Sequence, residues 1–509
     1  MELRHQYRDH LARPLTEATS ERRAWVGAAA IIVVLTAYRF WASAHVGLAA
    51  DEAYYWLWSR RPATGYLDHP PMVAWWIWAS TTIFGDTELG VRALSVISAA
   101  LTSVAIFATA RNLGLNPTVA SRGAVWFNAT ILVGVGAILI TPDAPSVLFW
   151  ALTVWVLADI RCTGDGRMWL LAGAFAGLGC LSKYTNLFLG GGILVWLVLD
   201  RDARRWFLSP WLWAGGAVAV LVFLPALLWN ADHGWISFAK QFGRISADGV
   251  RLAYVGEFIA SQVGLLNPII AVFVGLGAWL AVKRIGRRAG AEEGALLFLL
   301  VLCAPLVLYM LVHSLHARVQ GNWLAPVYPA LALLAAVAAA GVTSRLMKRL
   351  AGIAAPVGIL VSVLALGYFA APPPTPFGQQ TPAERMVGWK DLAERIETLR
   401  AETGAGWIAT ADYGLTGELA FYGPGTELVQ QVDERQRYLF DRIDPSVTTA
   451  PALLVLPEER SDLKKFRRCF ASLEPVGSVE REGPDGPVAT YLVWRAEGAR
   501  KDILRRGCR

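Results

Sequence analysis

From residue 24 onward the chain repeats one pattern, an apolar run, a short polar loop and another apolar run. As helices, runs of roughly 20 residues match the hydrocarbon thickness of a bilayer. The spacing predicts about eleven membrane-spanning helices, over residues 24–45, 88–110, 119–140, 144–160, 168–182, 186–199, 209–229, 256–282, 294–312, 323–343 and 351–370. Two of these, 168–182 and 186–199, are short for a crossing and are expected to be tilted or partly re-entrant. The segment Met72–Phe84 is too short to span, and its Trp75, Trp76 and Trp78 suit an interfacial helix at headgroup level.

After Phe369 the pattern changes. The stretch APPPTPFG (Ala371 to Gly378) reads as an extended Pro-rich linker that no helix continues through. Beyond it, helical periodicity over Pro382–Glu402 and Ser461–Phe470 accompanies strand-like runs at Gly406–Thr410, Ala452–Leu456 and Val488–Trp494. The expected fold class is a polytopic α-helical membrane protein with a small C-terminal α/β soluble domain. The expected organisation is a basic leader (1–23), a transmembrane domain (24–370, first outside loop 46–87) and the α/β domain (371–509). No internal repeat of fixed period is visible, which argues against a solenoid.

Composition supports this class, since 55% of residues are hydrophobic and only 17% are charged, below what a soluble chain carries. The formal net charge of +7 requires no nucleic acid, because most basic residues lie in short loops between apolar runs. The leader, Arg111 with Arg122, Arg161 with Arg167, Arg201/Arg204/Arg205, Lys283/Arg284/Arg287/Arg288 and Arg345/Lys348/Arg349 fall on one side if eleven spans are counted. That side is then cytoplasmic, with the N-terminus, and the C-terminal domain lies outside. The first apolar run lacks a small-residue cleavage site and reads as an uncleaved span. Of the five cysteines, Cys162, Cys180 and Cys303 read as small core residues. Cys469 and Cys508 are free to pair or not in an oxidising compartment.

The outside loops collect the residues capable of chemistry. The segment Asp51–Pro71, DEAYYWLWSRRPATGYLDHPP, brings an Asp-Glu pair and an Asp-His pair to a membrane edge, where unpaired charge is expensive. With it come Arg92, the TPDAP turn holding Asp143, SKYT holding Lys183, Arg244, and the His316/Arg318 segment. A sugar transferase working outside the cytoplasm needs a lipid-linked donor, because nucleotide sugars stay inside. Such a site needs a carboxylate to take the acceptor proton, cations to hold the departing phosphate, and an apolar groove for the prenyl tail. Each residue also has a plain alternative. Asp51 and Glu52 suit a helix N-terminus; Asp68 with His69, and Asp143, suit proline-bounded turns; Lys183 suits a solvated loop; Arg92 and Arg318 suit membrane-edge anchors. A divalent cation is compatible with Asp68 and His69, but no ligand spacing requires one, and no cofactor is required.

Taken together and in order, DEAYYW, GYLDHPP, the Arg92 of GVR, TPDAP, SKYT and RVQGNWLAPVYP closely resemble the GT-C-fold glycosyltransferases of the bacterial family 39 type. These are relatives of protein O-mannosyltransferases and of lipid A aminoarabinose transferases, and the resemblance covers roughly residues 24–345. It implies an integral inner-membrane enzyme that uses a polyprenyl-phosphate monosaccharide and inverts the anomeric centre. By position, Asp51 matches the family's catalytic aspartate and Glu52 completes the acidic pair. His69 stands before Pro-Pro, where the aminoarabinose transferases have lysine, and histidine is charged only part of the time near neutral pH.

The expected function is therefore transfer of a monosaccharide from polyprenyl phosphate to an envelope acceptor, with lipid A or lipopolysaccharide core favoured and a protein acceptor as the alternative. Asp51 and Glu52 are the expected catalytic residues. Asp68, His69, Arg92, Asp143, Lys183, Arg244, His316 and Arg318 are the expected donor-phosphate and substrate contacts. A polyprenyl-lipid flippase is the rival from another class, disfavoured by the lack of matching half-repeats. A non-catalytic membrane scaffold is disfavoured by the costly acidic loop.

Overall fold

In a computed structural model, the described residues are 15–243, 249–283, 285, 291–373, 381–441, 445–460 and 462–508. Arg244, most of the basic leader, Arg284, Arg287, Arg288 and most of the Pro-rich linker therefore lie outside them. The chain divides into two units. One comprises Met1–Phe40, Ser95–Ile138 and Pro142–Ala365; the other comprises Trp41–Leu94, Leu139–Thr141 and Leu366–Arg509.

Among the described residues, seven helices are long and apolar enough to cross a membrane: Arg22–His45, Glu88–Asn112, Asp143–Thr163, Pro210–Asp232, Gly294–Ser314, Gly321–Ala340 and Arg345–Ala370. An eighth is the pair Leu252–Leu265 and Pro268–Val282, counted as one span though bent by 108°. The chain is a multi-pass membrane protein. The about eleven spans of the sequence reading exceed this by the two short helices Met168–Ser182 and Leu187–Leu199, and by 119–140, which is not one helix.

Both breaks have local causes. Residues 119–140 divide into Pro117–Asn128 and Ile131–Gly136, because Thr130 is extended and its hydroxyl caps the N–H of Val133. Residues 256–282 bend at Asn267, whose φ of 71° no helix tolerates and whose side chain caps Ile269. Pro268 then opens the second helix with no N–H to lose.

The core of the first unit is apolar and aromatic, with Phe127, Trp150, Trp169, Trp196, Phe298 and Tyr328 buried together. Its helices approach closely at Gly173, where an added Cβ would stand 2.0 Å from the Gly215 carbonyl oxygen. Small residues permit that approach where no hydrophobic force drives helices together in lipid. Buried Arg39 donates to Asn128 Oδ1 at 2.7 Å, so its guanidinium has an acceptor inside the apolar core.

The second unit carries a five-stranded sheet. Its strands are β1 (Trp407–Thr410), β2 (Val429–Gln431), β3 (Ala452–Pro457), β4 (Ser472–Gly483) and β5 (Gly486–Glu497), in spatial order β2-β1-β3-β5-β4. Strands β2, β1 and β3 are parallel, and β5 runs antiparallel to β3 and β4. Trp407, Leu454, Phe466, Phe470 and Trp494 fill its core, and a Cys469–Cys508 disulfide closes it. The helix expected over Ser461–Phe470 shrinks to a single turn, Leu463–Phe466. That over Pro382–Glu402 starts only at Trp389, because Gly388 holds a φ of 76°.

The same unit takes in the first loop. The helix Ala50–Arg60 packs on the helix Tyr413–Tyr422, and an added Cβ at Gly417 would meet Ala53 backbone at 2.7 Å. The two backbones thus touch with nothing between them.

Candidate active site

Asp51 and Glu52 stand in the first turn of Ala50–Arg60, where backbone N–H groups lack helical partners and favour negative charge. Their surroundings differ sharply. Glu52 is fully buried; its Oε1 accepts from Arg92 Nε and from the Ile140 N–H, both at 2.9 Å. Its Oε2 accepts from Arg92 Nη2 at 2.5 Å and from the Ala49 N–H at 3.0 Å, so it also closes the helix's N-terminus. Arg92 is equally buried, and its remaining donors reach the carbonyls of Ser43, Val46 and Gly47. All five N–H bonds of a guanidinium are thereby engaged.

Asp51, by contrast, is exposed. Its Oδ1 accepts from the Tyr413 hydroxyl at 2.9 Å. Despite its access to solvent, the protein packed around it raises its carboxyl above the ordinary aspartate range. The charges of Asp68 and Glu52 push the same way, against the Tyr413 hydrogen bond and Arg437.

Asp68 is buried and clamped. Arg437 Nη1 donates to both carboxylate oxygens, at 2.8 and 2.7 Å, and the Tyr54 hydroxyl donates to Oδ2 at 3.0 Å. The Arg437 guanidinium also lies 4.6 Å from the centroid of the Tyr413 ring. His69 is half-buried, edge-on to the Tyr55 ring at 6.2 Å. Neither Tyr413 nor Arg437 stands out in the sequence, because they lie in the C-terminal domain, where no motif surrounds them.

The other unit gathers three motifs at one point. Lys183 Nζ, nearly buried, donates to Asp143 Oδ1 at 2.6 Å, and Asn322 Nδ2 donates to Asp143 Oδ2 at 2.7 Å. Asp143 opens the helix Asp143–Thr163, Lys183 sits at the end of Met168–Ser182, and Asn322 belongs to the turn Gly321–Val327. TPDAP, SKYT and RVQGNW thus meet through one carboxylate. Asn322 lies within RVQGNWLAPVYP, where its neutral amide carries no charge to set it apart from its neighbours. Arg318 is exposed and pairs with Glu257 at 3.0 Å; His316 is half-buried. Arg244 lies outside the described residues. Among those residues, no three His, Cys, Asp or Glu side chains are grouped to hold a metal ion.

The comparison of solved structures decides the fold. Over 92% of this chain and 97% of the other, the structure is similar to that of ArnT from Cupriavidus metallidurans bound to undecaprenyl phosphate, with a TM-score of 0.66 and 16% identity. The chain has the GT-C glycosyltransferase fold. Residues 68–229 match the family model described as dolichyl-phosphate-mannose-protein mannosyltransferase. The chain is 28% identical, over 56% of its length, to the lipid A galacturonosyltransferase RgtD of Rhizobium johnstonii, and spans 59% of that relative. It is 24% identical to the lipopolysaccharide core galacturonosyltransferase RgtB of the same organism, over 82% of this chain and 84% of the relative.

Proposed function

We propose that this GT-C protein is a glycosyltransferase that moves a monosaccharide from a polyprenyl-phosphate donor to lipid A or lipopolysaccharide core. The observation that carries the reading is the division of labour in the acidic motif. Glu52 and Asp68 are held by arginines, while Asp51 alone faces solvent with a raised carboxyl pKa. A base needs a free lone pair and a pKa drawn toward the working pH, and Asp51 has both. It takes the proton from an acceptor hydroxyl, whose oxygen forms a bond to the anomeric carbon. The bond from that carbon to the phosphate oxygen breaks on the opposite face, and polyprenyl phosphate departs with the electron pair.

In this reading Lys183 holds the phosphate, oriented by Asp143, which itself is held by Asn322. Arg318 is a second cation, since an exposed pair such as Arg318–Glu257 is weak and exchanges readily for a phosphate. Arg92 becomes a residue that positions Glu52 and not a donor contact, because its N–H groups are fully engaged. His69 and His316 take no step. The relatives' names support lipid A or core as acceptor, and make polyprenyl-phosphate galacturonic acid the first donor to test. The Cys469–Cys508 disulfide supports a C-terminal domain on the oxidising, outer side of the inner membrane.

The test is Asp51→Asn in nanodiscs, with labelled donor and an envelope glycolipid extract. The variant should fold and bind donor while turnover falls by roughly 10²–10⁴-fold. Wild-type turnover in Asp51→Asn would reject the base. Label appearing in protein and not lipid would move the acceptor to a polypeptide. Donor lipid that changes leaflet with no sugar transferred would replace the transferase reading with a flippase.

A further inference from the structure

The C-terminal α/β domain has no part in the chemistry derived so far, yet it supplies two side chains to the acidic motif. We propose that this domain completes the active site, with Tyr413 as a positioning residue that fixes the carboxylate of Asp51 and Arg437 as the group that holds Tyr413 and Asp68 in place. The inference rests on the reading of Asp51 as the base.

The geometry is specific. The Tyr413 hydroxyl donates to Asp51 Oδ1 at 2.9 Å across 362 residues of chain. A single donor on one oxygen leaves the other, Oδ2, to meet an acceptor hydroxyl. Backbone contact at Gly417 fixes the helix that carries Tyr413, so its ring has little freedom to retreat. Arg437 lies against the face of that ring at 4.6 Å and grips both oxygens of Asp68. Without this grip, Asp68 would lose the arginine that offsets its negative charge beside Asp51. The charged and titratable groups facing Asp51 are Glu52 from its own helix, Asp68 from the following loop, and Tyr413 and Arg437 from the C-terminal domain. Two of these four favour its ionised form, and both come from that domain.

Tyr413→Phe removes the hydroxyl and keeps the ring under Arg437. Losing a donor to the ionised form raises the Asp51 pKa, so the acid limb of the kcat/KM profile should move to higher pH. The expected shift is roughly half to one pH unit, moderated because Asp51 is exposed, with about three- to tenfold loss on that limb. The thermal midpoint should stay near that of the wild type. Arg437→Lys is the second variant, expected to shift the limb the same way by less, because lysine keeps the charge and loses the planar group that lies over the Tyr413 ring. A merely structural role would lower the thermal midpoint and leave the limb where it is, and that result in both variants overturns the inference. Asp51→Asn, measured alongside, separates the two claims. If it is inactive while both variants keep the wild-type profile, only the positioning role fails. If it is fully active, the base fails and this role with it.

Discussion

Adjacent residues on a helix point about 100° apart, and that angle gives Asp51 and Glu52 different fates. One faces solvent and Tyr413; the other turns inward to Arg92. In the sequence the two acids are a single signal, so their chemistry was legible and their division of labour was not. The arginine that pairs with Glu52 lies 40 residues on, whereas the tyrosine on Asp51 and the arginine on Asp68 lie more than 360 residues away. The Asp143–Lys183 pair was legible residue by residue, but its closure through Asn322 was not. This pair carries a prediction at the same scale. Lys183→Ala should lower kcat/KM for the donor by about 10- to 150-fold, the worth of a charge-assisted contact. It also takes the cation from a nearly buried Asp143, so the thermal midpoint should fall as well. Asp143→Asn combined with Lys183→Ala should recover the thermal midpoint while donor use stays low. If donor use returns with stability, Lys183 serves only to neutralise Asp143.

At the scale of elements, the apolar runs were legible and the breaks within them were not, because a hydrophobic window averages across a single non-helical residue. Thr130 and Asn267 divide runs that composition alone joins. Strand β4 escaped notice for the opposite reason: its SLEPVGSVEREG is an edge strand with charges and two glycines, and its pairing with β5 supplies what its propensity lacks. The helix Tyr413–Tyr422 carries a further surprise. Glu418 is fully buried, neither carboxyl oxygen has a hydrogen-bond partner among the described residues, and burial holds its pKa well above the ordinary glutamate range. The folded protein therefore keeps a proton that the unfolded chain, near 4.5, releases. Stability from this group is fully present below that unfolded pKa and declines as pH rises toward the folded one. Glu418→Gln removes the titration, so its thermal midpoint should fall less than that of the wild type between about pH 5 and 8. Parallel profiles, followed by scanning fluorimetry in detergent, would place the proton elsewhere.

The whole molecule keeps the sequence's broad outline, a polytopic helical membrane protein with a small α/β domain, and redraws its internal boundary. Residues 41–94 belong to the same compact unit as the C-terminal sheet. Proline and a change of composition mark where a chain leaves the membrane, but they do not reveal which earlier loop the exported domain will fold around. The Cys469–Cys508 disulfide predicts that residue 508 lies outside the cytoplasm. A reporter active only outside should light when fused after Arg509, and one active only in the cytoplasm should stay dark. The reverse pattern would put the acidic motif on the wrong side for a lipid-linked donor.

The contact between the helices Ala50–Arg60 and Tyr413–Tyr422 also has a consequence in time. Synthesis runs from the N-terminus at roughly 5–20 residues per second, so the 362 residues between Asp51 and Tyr413 take about 20–70 seconds to appear. Throughout that interval the first loop sits at the membrane without the surface that covers Ala53 and without the arginine that neutralises Asp68. The last crossing ends at Ala370, so the acidic loop waits uncovered through the making of every later crossing before the helix that packs on it appears.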